Sequence, residues 1–264
     1  MSDALTGQVT AEAAELYERF FVPALFDQWP NRLLDLAGVD VGDDVLDVAC
    51  GTGVLARAAR SRVGPTASVM GVDVNAGMLA VAARAAADIT WTSGPAEALP
   101  VEAATFDHVF CQFGLMFFAD RAAAVREMAR VVRRGGHVCV ATWADLSESP
   151  GYAAMVDLLE DLFGAEPAAA LAAPFAIGTP ADLYDEMAVG FDEVEVRRLE
   201  GEARFPSVDA WVATDVRAWT LRDLLDDDQF EELLRQARTR LSDFCERSGV
   251  VRFSAPALVA VATR

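Results

Sequence analysis

The chain is 264 residues long, 53% hydrophobic and 24% charged, so it can bury a sizeable core and is too apolar to be disordered. Its 41 acidic residues against 22 basic ones leave a formal net charge of −19, which argues against nucleic acid or an anionic membrane surface as a partner, since both are bound by basic surfaces. All the basic residues are arginines, which excludes a Schiff-base or P-loop lysine, and two histidines, His108 and His137, are too few for a multi-histidine metal site, so no metal is expected.

In chain order, residues 10–37 read as helices broken at Pro23 and Pro30. A polar turn at 39–44 leads into a buried strand, VLDVA (45–49), followed by a helix over 54–62, a strand over 68–74 and an Ala-rich helix over 76–87. A short strand (89–93), the loop GPAEALP (94–100) and a strand FDHVFCQF (106–113) come next. The helical period over 121–134 stops at Gly135 and Gly136, and HVCVATW (137–143) is the following strand. Beyond Asp145 the rhythm changes. Residues 151–189 and 208–247 read as helical, FDEVEVRRLEGEARF (191–205) alternates like an edge strand, and 251–264 reads as a last strand despite Pro256.

Apolar runs alternating with longer amphipathic segments indicate an α/β fold built on a mostly parallel sheet. Neither repeats nor a long linker interrupt the chain, which points to a single domain over 1–264 with N-terminal helices (1–40), a ligand-binding core (41–145), helical additions (146–190 and 208–247) and a final strand (251–264). The N-terminal stretch is acidic and lacks an apolar signal-peptide core, and the apolar runs are too short to span a membrane. Cys50, Cys111 and Cys139 lie in or beside apolar runs and no C-x-x-C pair occurs, as expected of reduced thiols in a cytoplasmic protein.

The most informative run is VLDVACGTGVLAR (45–57). A buried strand ends at Asp47-Val48-Ala49-Cys50, turns through Gly51-Thr52-Gly53 and opens a helix at Val54, where free N–H groups and close backbone approach suit a ligand. Asp73, at the end of the second strand, is placed to accept hydrogen bonds from ribose hydroxyls. Gly51 to Ala56 also fits the dinucleotide fingerprint G-x-G-x-x-G/A, so an NAD(P)-dependent oxidoreductase has to be weighed. Three features oppose it: some 40 residues of helix precede the first strand, no Tyr/Lys pair exists for hydride chemistry, and the Asp47 carboxylate would repel a pyrophosphate while attracting an ammonium group.

Here the chain resembles the class I S-adenosylmethionine (SAM)-dependent methyltransferases, in the small-molecule branch that includes quinone-biosynthesis C-methyltransferases. The resemblance rests on VLDVACGTG, GVDVNAGML (71–79), SGPAEALP (93–100), FDHVFCQFGLMFFAD (106–120) and VVRRGGHVCVATW (131–143), and covers roughly residues 15–145. It implies a Rossmann-like, doubly wound, seven-stranded sheet with an antiparallel last strand and helical lid insertions. It also implies that Gly51 and Gly53 shape the turn beside the methionine part of SAM, with Ala49 adjoining and Asp47 near its ammonium. Asp73 would take the ribose hydroxyls, with Val74 beside it; Met78, Ala96 and Glu97 would border the adenine, and Pro95 stands where the family usually has a polar residue. Gln112 would face both the methionine moiety and the substrate, and Tyr17 and Phe21 would close over the cofactor.

The implied activity is methyl transfer from SAM, leaving S-adenosylhomocysteine, to a small apolar or aromatic acceptor. A non-methylating SAM-binding protein is the alternative. Gln112 and Asp145 are the candidates for a catalytic role, and Tyr152, Phe175, Trp211 and Trp219 in the helical additions are candidates for acceptor contact. Packing explains the tryptophans equally well, Met78 also fits an ordinary core position, and His108 and His137 read as structural. Monomer and homodimer both remain open.

Overall fold

The computed structural model describes residues 11–217, 221 and 224–264. Seven strands, β1 (Val45–Val48), β2 (Val69–Asp73), β3 (Thr90–Ser93), β4 (Phe106–Gln112), β5 (Val132–Trp143), β6 (Glu193–Leu199) and β9 (Ala257–Thr263), form one sheet in the order β3-β2-β1-β4-β5-β9-β6. Pairings among β1–β5 are parallel, and β9 runs antiparallel between β5 and β6. The last strand is thus antiparallel, as expected, and sits one place inside the sheet edge rather than on it. β1 and β4 are fully or mostly buried, as apolar parallel strands covered on both faces must be. Strand order reverses between β1 and β4, and at such a switch point the connections leave in opposite directions and open a crevice above the strand carboxyl ends.

Helices α3 (Val54–Val63), α4 (Ala76–Ala85) and α5 (Arg121–Val131) make the crossovers of this core. Between β5 and β6 the chain forms α6 (Pro150–Phe163), α7 (Ala165–Ala172) and α8 (Pro180–Ala188). The single strand expected over 191–205 is instead divided. β6 joins the main sheet, while β7 (Glu202–Phe205) pairs antiparallel with β8 (Val251–Ser254) in a separate two-stranded ribbon. The break falls at Gly201, where a Cβ would come 2.3 Å from the Trp29 ring. The expected last strand divides likewise at Pro256, which cannot donate to a ladder. α9 (Val208–Arg217) and α10 (Asp227–Arg240) fill the connection from β7 to β8.

Two other expectations are corrected. Pro23 does not break the N-terminal helix: α1 (Ala11–Leu16) continues as a π-helix over Tyr17–Phe26 with Pro23 inside it, and only Pro30 marks a boundary, at the first turn of α2 (Pro30–Leu36). The helix expected to run to residue 134 stops at Val131, and Val132 already pairs with Phe106. Arg133 belongs to the sheet because its guanidinium reaches Asp44 at 2.9 Å and Asp107 at 2.6 Å at the amino ends of the strands.

Candidate active site

Four strand ends converge on the crevice between β1 and β4. A cleft of about 270 Å³ is lined by Ala49 and Gly51 after β1, Asp73 and Val74 at β2, Gly94, Ala96 and Glu97 after β3, and Gln112 to Gly114 at β4, with Tyr17 and Met78 along its side. A smaller recess adjoins it, sharing Tyr17, Ala49, Gly51 and Gln112 and reaching Asp47, Thr52 and Val54. Ala49 (φ +55°) and Phe113 (φ +57°) hold left-handed backbone on the two sides of the switch point. Non-glycine residues in that region carry strain, which collects at functional sites.

The cleft is acidic. Asp47 is 1% exposed and its Oδ2 accepts from the Ala56 N–H at 3.0 Å, three residues into α3. Burial pushes its carboxyl up to about 8, with that hydrogen bond opposing and the neighbouring Asp73 adding to the rise. Asp73 accepts from the Gly51 N–H at 2.8 Å and from the Asn75 N–H at 2.8 Å; burial raises its carboxyl too, against these bonds. Arg57 is the cation acting on Asp47, and it is engaged by the Thr52 carbonyl and Glu18. Two buried carboxylates with so little compensation favour a ligand that brings positive charge. Gln112 Oε1 and Thr52 Oγ1 are buried without a hydrogen-bond partner and border the recess, so they offer the polar contacts such a ligand would complete. The N–H groups of Gly51 and Ala56, which a pyrophosphate would need, are already taken by carboxylates. This opposes the dinucleotide reading.

Comparison with known proteins agrees. Residues 45–136 match a family described as a methyltransferase domain. A ubiquinone/menaquinone biosynthesis C-methyltransferase of Hahella chejuensis is 40% identical over 118 residues, 42% of this chain and 47% of that protein. A demethylmenaquinone methyltransferase of Staphylococcus aureus is 36% identical over 142 residues, 51% of this chain and 59% of that protein. The chain thus spans about half the length of the curated relatives it matches. A phosphoethanolamine N-methyltransferase 2 of Haemonchus contortus in complex with S-adenosyl-L-methionine shares the fold, with a TM-score of 0.62 at 17% identity over 96% of this chain and 57% of that one. The YcgJ protein of Bacillus subtilis gives 0.58 at 18% identity over 89% and 97%.

Within the matched segment most expected residues meet in one place: Asp47, Ala49, Gly51, Asp73, Val74, Met78, Ala96, Glu97 and Gln112 all border the cleft or its recess, as does Tyr17 from outside that segment. Glu97 has a further task, since its Oε1 accepts from the Ala119 N–H at 3.0 Å and links the loops after β3 and β4. Gly53, in the same segment, does not meet the others. It borders neither cavity, and a Cβ there would come 2.3 Å from the Trp91 ring. With φ at +82° as well, Gly53→Ala is expected to lose about 2 kcal/mol of stability with little direct effect on ligand binding; urea unfolding measures it.

A second, aromatic cavity adjoins the cleft and shares Tyr17, Phe113 and Phe117 with it. Phe21, expected to close over the cofactor, borders neither the cleft nor its recess and lines this second cavity instead, and the acceptor-contact candidates Tyr152 and Phe175 line it too. Phe26, Phe113 and Trp143 pack into one cluster, with the rings of Phe113 and Trp143 stacked at 3.9 Å. The π-helix turns Tyr17, Phe21, Leu25 and Phe26 toward this cavity. Trp211 does not line it: fully buried, it packs against Phe205, Phe253, Phe244 and Tyr152. Trp219 lies outside the described residues. Asp145 is exposed, accepts from the Ser147 N–H and hydroxyl, and borders neither cavity, so it is a turn cap rather than a base. His108 is buried near the amino end of β4 with Nε2 3.1 Å from Asp43 and its ring stacked on His137, away from the cleft. Sequence reasoning missed Thr52, Phe113, Phe117 and Asp215; only the aromatic density of FGLMFF (113–118) hinted at any of them.

Proposed function

We propose that the chain transfers a methyl group from SAM to a small aromatic acceptor of quinone type, with SAM in the acidic cleft and the acceptor in the aromatic cavity. The observation that carries this is the junction of the two spaces at Tyr17, Phe113 and Phe117. The similarity to a ubiquinone/menaquinone biosynthesis C-methyltransferase and a demethylmenaquinone methyltransferase supports the acceptor class.

When bound, SAM supplies a methyl already activated on a sulfonium. The protein's share is then to position and to exclude water. Asp47 and Gln112 would hold the charged amino-acid end, directly or through water, and the second lone pairs of Asp73 would take the ribose hydroxyls. Phe113 and Trp143 present flat faces to an acceptor ring. About 50 Å³ of the aromatic cavity is open, so acceptor entry displaces side chains; Phe175, half-buried in a turn over Ala173–Phe175, stands at its edge.

Because burial lifts Asp47 from 3.8 to about 8, the free folded protein holds a proton there that the unfolded chain has already lost. Asp47 therefore favours the folded state fully below about pH 4, and that contribution is lost as pH rises through about 8. Docking a cation beside it favours the ionised form and is expected to expel protons near neutral pH. Calorimetry of SAM binding in buffers of different ionisation enthalpy reads this directly, and Asp47→Asn is expected to abolish it. The activity itself is tested by following S-adenosylhomocysteine formation by mass spectrometry with a panel of hydroquinones; no SAM binding, or no turnover across that panel, defeats the proposal.

A further inference from the structure

One buried acid in the aromatic cavity has no part in the reading above. Asp215, on α9, is 2% exposed and lines the cavity beside Tyr152, whose ring packs against Phe175. Its Oδ1 lies 3.5 Å from the Tyr152 hydroxyl, and its Oδ2 is buried without any hydrogen-bond partner. It is the sole carboxylate among the described lining residues of this cavity; the other titratable groups there are Tyr17 and Tyr152, and neither brings positive charge. A lone buried carboxylate costs several kcal/mol unless something is gained by keeping it. It also lies well outside the matched segment 45–136.

We propose that Asp215 is the proton acceptor for a ring hydroxyl of the acceptor. This rests on the proposed methyl transfer. The hydroxyl O–H bond breaks, its proton bonds to Oδ2, and the electron pair left on oxygen feeds the ring. The neighbouring ring carbon then bonds to the methyl carbon as the carbon–sulfur bond breaks and its electrons return to sulfur. That ring carbon loses its own proton to water, and Asp215 returns its proton to the oxygen. The balance is one methyl gained, one ring proton released, and Asp215 unchanged. Burial, partly offset by the nearby Trp211 indole and Tyr152 hydroxyl, raises its carboxyl to about 8, closer to the proton affinity of a phenol than an ordinary carboxylate comes.

The test separates the carboxylate from the turnover. 1-Naphthol and its methyl ether, 1-methoxynaphthalene, are titrated calorimetrically at pH 8.5 into wild type, Asp215→Asn and Asp215→Leu. Wild type is expected to bind the naphthol about ten-fold more tightly than the ether, through a hydrogen bond to a charged acceptor, and Asp215→Leu is expected to erase the preference. Leucine removes a buried charge and keeps the volume, so this variant should fold, and thermal melting checks that it does. With a hydroquinone that wild type methylates, kcat is expected to fall about 100-fold in Asp215→Asn while S-adenosylhomocysteine affinity stays within about two-fold. Equal binding of naphthol and ether by wild type, or an undiminished preference in Asp215→Leu, overturns the role of Asp215. Turnover that survives Asp215→Leu overturns it too while leaving methyl transfer standing. An Asp215-dependent naphthol preference in a protein that neither binds nor consumes SAM defeats the methyl transfer instead.

Discussion

Replacing Gly51 with valine is expected to weaken S-adenosylhomocysteine binding by at least about 100-fold, or about 2.7 kcal/mol. Gly51 sits at φ +54°, and a Cβ built on it meets no protein atom within 4 Å, because it projects into open space beside two cavities that Gly51 lines. A β-branched side chain there occupies room meant for ligand. It also resists left-handed backbone by about 1–2 kcal/mol, which pulls on the bond from the Gly51 N–H to Asp73. The loss of stability should stay near that strain, since nothing in the protein is struck. Calorimetry on the folded variant gives the affinity and urea unfolding gives the strain. A folded Gly51→Val that binds as tightly as wild type would falsify the placement of the cofactor at this turn.

The contrast between Gly51 and Gly53 shows what a sequence can and cannot carry. Both follow from one local rule, a tight strand-to-helix turn, and both indeed have positive φ. Which of them faces ligand depends on Trp91, whose ring fills the space behind Gly53 and Gly71. That is a contact across the sheet that no spacing in VLDVACGTG encodes. The acidic cleft was legible because strand, turn and helix contribute its parts in short runs, each ending at a strand's carboxyl end. The aromatic cavity was only half legible, because it draws on the N-terminal helix, β4, β5, α6 and α9 at once. Asp215 stood in an ordinary amphipathic segment, VDAWVATDVR, and only its burial among rings distinguishes it. Pro23 misled for a related reason. A proline ends an α-helix by removing an i→i−4 bond, whereas the chain here widens to a π-helix, as the Asp27 N–H bonding back to the Val22 carbonyl at 2.9 Å shows.

Trp211→Ala is expected to cost roughly 3–5 kcal/mol of stability, the range for deleting a large aromatic from a packed core. Trp211 is 0% exposed and joins elements that are distant in sequence: its ring lies 4.8 Å from Phe253 on β8, 5.8 Å from Phe205 on β7 and 5.9 Å from Tyr152 on α6. The β7–β8 ribbon is only two strands wide, and such a ribbon needs a packed face to persist. Trp211, from α9, supplies much of that face. Its indole N–H has no acceptor in hydrogen-bonding geometry, so Trp211→Phe should recover most of the loss through ring packing alone. An acceptor-contacting tryptophan would behave differently, raising KM while leaving the unfolding midpoint in place. The acidic cleft proposed to hold the cofactor does not include Trp211, so S-adenosylhomocysteine affinity per folded molecule should change by less than about two-fold. Urea unfolding of the alanine and phenylalanine variants, with calorimetry below the transition, separates the two roles. A Trp211→Ala protein as stable as wild type would place this residue with the substrate and not with the core.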